Sequence, residues 1–254
     1  MGAKSLRGQV AIVTGASRGI GQTIATELGR HGAVVIVTAR GKSEKGSSAT
    51  LYRTAQMIEA AGGKAFALPA DVRHEAQIAG LVERVLDTYG RIDILVNNAG
   101  IMVGDVSFVE TTPSMWREII ETNLTGVFLC CRAVIPSMLS QDAGVIVNMS
   151  SGAAVRTGFL NVPYGVSKAG LDRLTLGLSA EFSNQGIACI SLSPPVSATD
   201  TVRRIYPDRK VESWAQPPEK TAVALCALLE DDPMRFTGQV VAVSEYLKGR
   251  GSLQ

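Results

Sequence analysis

The sequence is poor in the residues that build metal centres and disulfide frameworks. Four cysteines (Cys130, Cys131, Cys189 and Cys226) and two histidines (His31 and His74) occur in 254 residues. Their spacing matches neither a zinc pattern nor the cysteine scaffold of a small secreted domain, so no metal is expected and a reduced, cytoplasmic setting is. An excess of one charge is also missing. Lys and Arg number 25 against 23 Asp and Glu, a formal net charge of +2, which gives no field for a nucleic-acid backbone or an acidic membrane. No run approaches the roughly 18 apolar residues of a bilayer span. The start, with Lys4 and Arg7, leads into a short strand-like segment and then glycines instead of a signal-peptide core. Met1-Gly2 has Leu6 where myristoylation requires Ser or Thr, and Ser252-Leu253-Gln254 is not the peroxisomal tripeptide. The expectation is a soluble protein with neither nucleic acid nor membrane as a partner.

What is present is the material for a large core. At 46% hydrophobic and 19% charged residues, the chain is expected to form one domain over residues 1–254. Short β-rich runs recur at Val10 to Val13, Ala33 to Ala39, Ala65 to Leu68, Ile92 to Val96, Gly144 to Met149, Ile187 to Leu192 and Gly238 to Val243. Nearly all are continuously apolar rather than alternating, as strands of a parallel sheet covered on both faces must be. Helical patterns fill the gaps: Ile20 to Arg30, Leu51 to Ala61, Glu75 to Tyr89, Ser114 to Leu139, Val166 to Ser183 and Glu219 to Glu230, with Gly32, Gly62 and Gly90 placed as helix stops. The prediction is an α/β, Rossmann-type doubly wound fold, a seven-stranded parallel sheet with helices on both faces. Gly41 to Ser48 reads as a polar loop, and the proline-rich stretch 194–218 as a substrate lid.

Directly after the first strand comes Thr14-Gly15-Ala16-Ser17-Arg18-Gly19-Ile20-Gly21, and a helix pattern follows at once. Gly15 permits the sharp turn, Gly19 lets backbone amides approach a diphosphate, and Gly21 allows close packing of helix on sheet, with the helix N-terminus facing the anion. A dinucleotide is the natural ligand. No Gly-Lys-Ser/Thr follows, which excludes a Walker loop. The second strand ends Val37-Thr38-Ala39-Arg40, without the Asp or Glu that would hold a ribose 2′-hydroxyl. Arg40 and Arg18 offer guanidinium forks for a 2′-phosphate, which favours NADP(H) over NAD(H).

Further along, Tyr164-Gly165-Val166-Ser167-Lys168 sets Tyr164 and Lys168 one helical turn apart on one face. An ammonium beside a phenol is expected to lower the tyrosine pKa from its reference of about 10 and make a proton donor usable near neutrality. The glycine turn, Asn97-Asn98-Ala99-Gly100, Asn123, Ser151 and the Tyr164/Lys168 pair occur in one order along the chain. In these motifs the sequence resembles the classical short-chain dehydrogenase/reductase family over nearly its whole length. The resemblance implies a catalytic tetrad of Asn123, Ser151, Tyr164 and Lys168. It implies that Gly15, Ser17, Arg18, Gly19, Ile20 and Gly21 hold the cofactor phosphates, that Asp71 and Val72 meet the adenine, and that Asn98, Ala99 and Gly100 pass along the adenosine ribose. Pro194, Ser197 and Thr199 fall where the family grips the carboxamide. The implied activity is interconversion of a small-molecule ketone or other carbonyl with a secondary alcohol, Tyr164 serving as general acid/base and Asn123 holding a water. A homo-oligomer, tetramer or dimer, is implied as well.

Two departures stand out. Pro195 replaces the family's glycine and Ser197 its Val or Ile, and Ser244-Glu245-Tyr246 stands where Asp-Gly-Gly is usual. Proline deletes an amide donor and fixes φ near −65°. These changes leave open an alternative reading, a non-catalytic dinucleotide-binding regulatory or scaffolding protein of the same fold. Ile101, Met102, Val103, Val155, Phe159 and Leu160 follow the active-site motifs and are candidates for an apolar substrate pocket.

Overall fold

The computed structural model describes residues 5–40, 47–157 and 161–250. Seven parallel strands, β1 (Val10–Thr14), β2 (Val34–Thr38), β3 (Lys64–Ala67), β4 (Ile94–Asn97), β5 (Gly144–Met149), β6 (Ile187–Ser193) and β7 (Val240–Ala242), form one sheet in the order 3-2-1-4-5-6-7. The strand order reverses between β1 and β4, and ligands of open α/β sheets bind beyond the strand C-termini at such a point. Each inner strand feeds two cores. In β1, Ala11 and Val13 face one apolar cluster while Val10 and Ile12 face the other, which is why the run is apolar at every position. At the edge, β3 loses one cover: Lys64 and Phe66 are exposed while Ala65 and Ala67 are half-buried.

The helices are α1 (Gly19–Arg30), α2 (Ser47–Ala60), α3 (Glu75–Tyr89), α4 (Pro113–Ile120), α5 (Gly126–Ser140), α6 (Val162–Phe182), α7 (Asp200–Ile205), α8 (Glu219–Glu230) and α9 (Val243–Gly249). Gly90 closes α3 in the left-handed conformation, φ 72°, and Gly32 and Gly62 also have positive φ, as their positions predict. The expected helix over Ser114 to Leu139 is interrupted by a π-helical turn, Glu121–Thr125, that turns Thr122 and Asn123 into the interior. By length and composition the stretch Pro113–Ser140 is apolar enough to cross a membrane, but half of its most apolar window is buried in the protein. Val127, Cys130, Cys131, Val134, Ile135 and Met138 of α5 join the core beneath the sheet.

The C-terminal strand differs from expectation. Of Gly238 to Val243 only Val240–Ala242 is strand, with the backbones of Gly238 and Gln239 still bonded to β6, and the chain then turns into α9. Tyr246 explains the change. Its hydroxyl donates to Asp231 Oδ2 at 2.7 Å, its ring meets Phe236 edge-on at 5.6 Å, and Arg250 pairs with Asp231 Oδ1 at 3.0 Å. Ser244, Glu245 and Tyr246 are therefore helical. The stretch 194–218 carries structure of its own, α7 and a short turn Val211–Ser213, with Ser197 bridged to Gln216. Met1-Gly2, Ser252-Leu253-Gln254, Phe159, Leu160 and most of the Gly41 to Ser48 loop lie outside the described residues.

Candidate active site

The glycine turn joins β1 to α1 and is clamped to the end of β4. Gly15 (φ 66°) and Gly19 (φ 57°) take backbone that side chains rarely adopt, and a Cβ on Gly15 would stand 2.8 Å from Ala99 Cα. On Gly21 it would collide with Asn98 Nδ2, and on Gly19 it would stand 3.3 Å from Thr199 Cγ2. Arg18 occupies the N-cap of α1 without a side-chain cap, so the first-turn amides of the helix receive no cap from that side chain. This is a close-approach cradle at a helix N-terminus, and it fits a diphosphate. Arg18 and Arg40 are both exposed, and β2 ends two residues before Arg40 on Thr38, whose buried Oγ1 has no partner.

Thr14, which the sequence reading passed over, locks the two loops together. Its hydroxyl oxygen accepts from the backbone N–H of Asn98 and of Ala99, both at 3.0 Å. Asn98 Nδ2 returns bonds to the carbonyls of Thr14 (2.9 Å) and Gly15 (3.2 Å). Beyond β3, burial pushes the Asp71 carboxyl up, but hydrogen bonds from Arg73 outweigh it and hold the group below the usual carboxylate range. The Arg73 fork reaches Asp71 Oδ2 at 2.6 Å and Oδ1 at 3.0 Å. Val72 is buried on Gly126, where a Cβ would stand 2.8 Å from its Cγ2.

Four polar side chains gather past the C-termini of β4 and β5. Ser151 follows β5 and hydrogen-bonds the Tyr164 hydroxyl while its oxygen accepts from Ala153 N at 3.2 Å. Asn161 accepts at Oδ1 from Tyr164 N (3.2 Å) and so caps α6, which carries Tyr164 and Lys168 on its inner face. Lys168 Nζ lies 5.7 Å from the Tyr164 ring centroid and donates to the Met149 carbonyl at 2.7 Å. A Cβ on Gly100 would stand 3.4 Å from Asn123 Oδ1 and 3.8 Å from Lys168 Nζ, so β4's loop, the π-turn and α6 meet at one place.

The electrostatics there correct one expectation. The Tyr164 pKa is raised and not lowered in this structure: burial pushes the phenol up, and the hydrogen bond with Ser151 only partly opposes it. Lys168 itself is brought down to about 8 by burial, against the opposing charge of Asp172. The physical reason is desolvation, which disfavours the charged form of both groups and which spacing along a helix does not report. Asn123, fully buried, spends its amide on neighbours. Its Oδ1 accepts from Ile101 N (2.8 Å), and its Nδ2 donates to Ile101 O (2.9 Å) and Ser167 Oγ (3.2 Å).

The Pro194 to Thr199 segment lies across the glycine turn. Among the described residues only Asp142 is a non-glycine with positive φ, so Pro195 is accommodated without a left-handed backbone. Ser197 is buried and donates to Pro195 O at 3.1 Å, and Thr199 caps α7, accepting from Val202 N at 3.4 Å. Of the pocket candidates, Val103 and Val155 are exposed, and Ile101 and Met102 are half-buried.

A family model for short chain dehydrogenase matches residues 9–210. The chain belongs to that family. It is 34% identical over 243 residues to the 3-oxoacyl-(acyl-carrier-protein) reductase FabG of Staphylococcus epidermidis, covering 92% of this chain and 96% of that protein. The actinorhodin polyketide ketoreductase with NADPH matches at TM-score 0.84 and 32% identity, over 93% of this chain and 95% of its own. A metagenomic short-chain oxidoreductase in complex with NADP matches at TM-score 0.78 and 33% identity, over 94% and 97%. The chain is thus an oxidoreductase of the short-chain dehydrogenase/reductase family, acting between carbonyls and alcohols with NAD(P).

Proposed function

We propose that the protein reduces a ketone or other carbonyl to a secondary alcohol with NADP(H), Tyr164 giving the proton. The observation that carries this reading is the Ser151–Tyr164 hydrogen bond beside the Lys168 ammonium, set past β5 next to the glycine turn. Gly15, Ser17, Arg18, Gly19, Ile20 and Gly21 would hold the dinucleotide diphosphate, with Thr199 above Gly19. Asp71, Val72, Asn98, Ala99, Gly100, Pro194 and Ser197 would border its remaining length. When bound, the cofactor supplies the hydride. Ser151 donates a hydrogen bond to the carbonyl oxygen as negative charge develops there. The Tyr164 hydroxyl protonates that oxygen, and its raised pKa keeps it a proton donor through the neutral range. Lys168, close to the ring, stabilises the phenolate that forms and is placed to hold ribose hydroxyls. Asn123 braces the Ile101 backbone and Ser167 on α6 and so positions the site, and its Oδ1 keeps one lone pair for the water it would hold.

NADP(H) is favoured over NAD(H) by Arg18, Arg40 and the missing acidic residue after β2. The two relatives with NADP or NADPH in their structures support the same choice. We place the protein in the cytoplasm as a homo-oligomer, dimer or tetramer, with residues 1–254 as one domain and 194–218 as its lid. The buried cysteines and the core position of α5 are consistent with that setting.

A carbonyl panel tests the proposal. Ketones, aldehydes and 3-oxoacyl thioesters are assayed with NADPH and NADH; the thioesters are included because FabG acts on 3-oxoacyl groups. Oxidation of NADPH by one class supports the reading. Tight cofactor binding with no oxidation across the panel overturns it in favour of a binding protein that has lost turnover.

A further inference from the structure

We propose that Asn161 is a positioning residue that joins the lid to the turn of α6 carrying Tyr164. The proposal rests on Tyr164 being the proton donor, and it adds a second use for the residue that caps its helix. An N-cap needs only an acceptor, and Ser, Thr or Asp supply one as well as Asn. Thr199 on α7 accepts from Val202 N at 3.4 Å, and Thr112 on α4 accepts from Met115 N at 3.2 Å and otherwise bonds only Ser114 Oγ of its own first turn, at 2.9 Å. Asn161 brings a donor as well as an acceptor. Its Nδ2 donates to Gly104 O at 2.7 Å, a shorter bond than the 3.2 Å cap to Tyr164 N. The side chain is 1% exposed, so neither bond exchanges readily with water.

Gly104 is where the lid rests. Its φ of +88° is glycine backbone, and a Cβ there would stand 3.3 Å from Ile205 Cγ2 at the end of α7. The next residue, Asp105, accepts at Oδ1 from the Tyr206 hydroxyl at 3.1 Å. Tyr206 in turn meets Trp214 edge-on at 5.7 Å, and Arg209 lies 5.1 Å over the Tyr206 ring. A continuous set of contacts therefore runs from the lid through residues 104 and 105 to Asn161, and from there to the backbone N–H of Tyr164. Displacing the lid pulls on the Gly104 carbonyl, and Asn161 passes that displacement to the first turn of α6. Since coupling between two sites is reciprocal, loosening the α6 turn must loosen the lid as well.

Hydrogen exchange on the full chain, read by mass spectrometry, tests this in both directions. Asn161→Ser keeps the cap acceptor and removes the donor to Gly104; Tyr206→Phe removes only the hydroxyl at the far end. Each should raise exchange at the other end, about threefold or more, Asn161→Ser in peptides covering 200–216 and Tyr206→Phe in peptides covering 161–168. Effects confined to the mutated end in both variants overturn the proposal. Tyr206→Phe alters a solvent-exposed bond, so it decides the question even if Asn161→Ser does not fold. With the panel substrate that turns over fastest, Tyr206→Phe should lower kcat as well as raise KM, whereas a lid that only admits substrate changes KM alone. Should Tyr164→Phe retain full turnover, the catalytic reading fails while the exchange result stands on its own.

Discussion

Replacing Thr14 by Val removes one hydroxyl from a nearly fully buried residue and keeps its shape. In the parent, that oxygen accepts from Asn98 N and Ala99 N, each at 3.0 Å. Its own donation to Val96 O, at 3.4 Å, is long and contributes little. Thr14→Val therefore orphans the Ala99 N–H, whereas the Asn98 N–H keeps its bond to Val96 O at 3.1 Å. An unsatisfied buried donor costs about 1–3 kcal/mol, and because Ala99 is only partly buried the lower end applies, about 1 kcal/mol. For a chain of this size each kcal/mol moves the Tm by about 2–4 °C, so a fall of about 2–4 °C is expected. Thr14→Ser, which keeps the oxygen and loses a methyl group, should cost no more than about 1 kcal/mol. Calorimetry and urea unfolding give both numbers, and an unchanged m-value assigns the difference to the folded state. NADPH affinity should fall in Thr14→Val more than in Thr14→Ser, since the same oxygen holds the Asn98 loop against Gly15. Equal stability of Thr14→Val and the parent, within about 0.5 kcal/mol, would refute the reasoning.

Reduction requires Tyr164 protonated and Lys168 charged. Burial keeps the phenol protonated and brings the amine to about 8, so kcat/KM for reduction should be level below that pH and fall above it. Asp172→Asn removes the charge that opposes the fall in Lys168 and should move the decline to lower pH; a decline on the acid side of neutrality contradicts the assignment. Arg40→Asp should weaken NADPH binding more than NADH binding, measured by fluorescence titration, and equal losses would remove Arg40 from the cofactor argument. Burial pushes the Cys130 and Cys189 thiols up to about 12 and the Cys131 and Cys226 thiols higher than usual. Native protein should therefore leave Ellman's reagent unreacted until denaturant is added; rapid reaction of one thiol would show that region open.

The sequence carries what repeats or constrains locally. Apolar runs mark β1, β2, β4, β5 and β6 because both faces of those strands are covered, and that pattern survives without knowledge of the partner strands. The Tyr164/Lys168 spacing is likewise a local fact of helix geometry. What was not legible depends on distant partners. The π-turn that buries Asn123 has no composition signal, since Glu121 to Thr125 has the same letters an α-helix tolerates. The α9 turn depends on Asp231 receiving the Tyr246 hydroxyl from 15 residues away. Thr14 looks like one more β-branched strand residue until the Asn98 loop is brought against it. The phenol's direction of shift is hidden for the same reason: the i,i+4 spacing puts the ammonium nearby, but burial decides the balance.

Tyr164→Phe removes one oxygen atom and is the most direct test of the account. NADPH affinity should stay within about twofold of the parent while turnover of the best panel carbonyl falls by about a thousandfold or more. Turnover within about tenfold of the parent, with NADPH still bound, would contradict the claim that this hydroxyl delivers the proton.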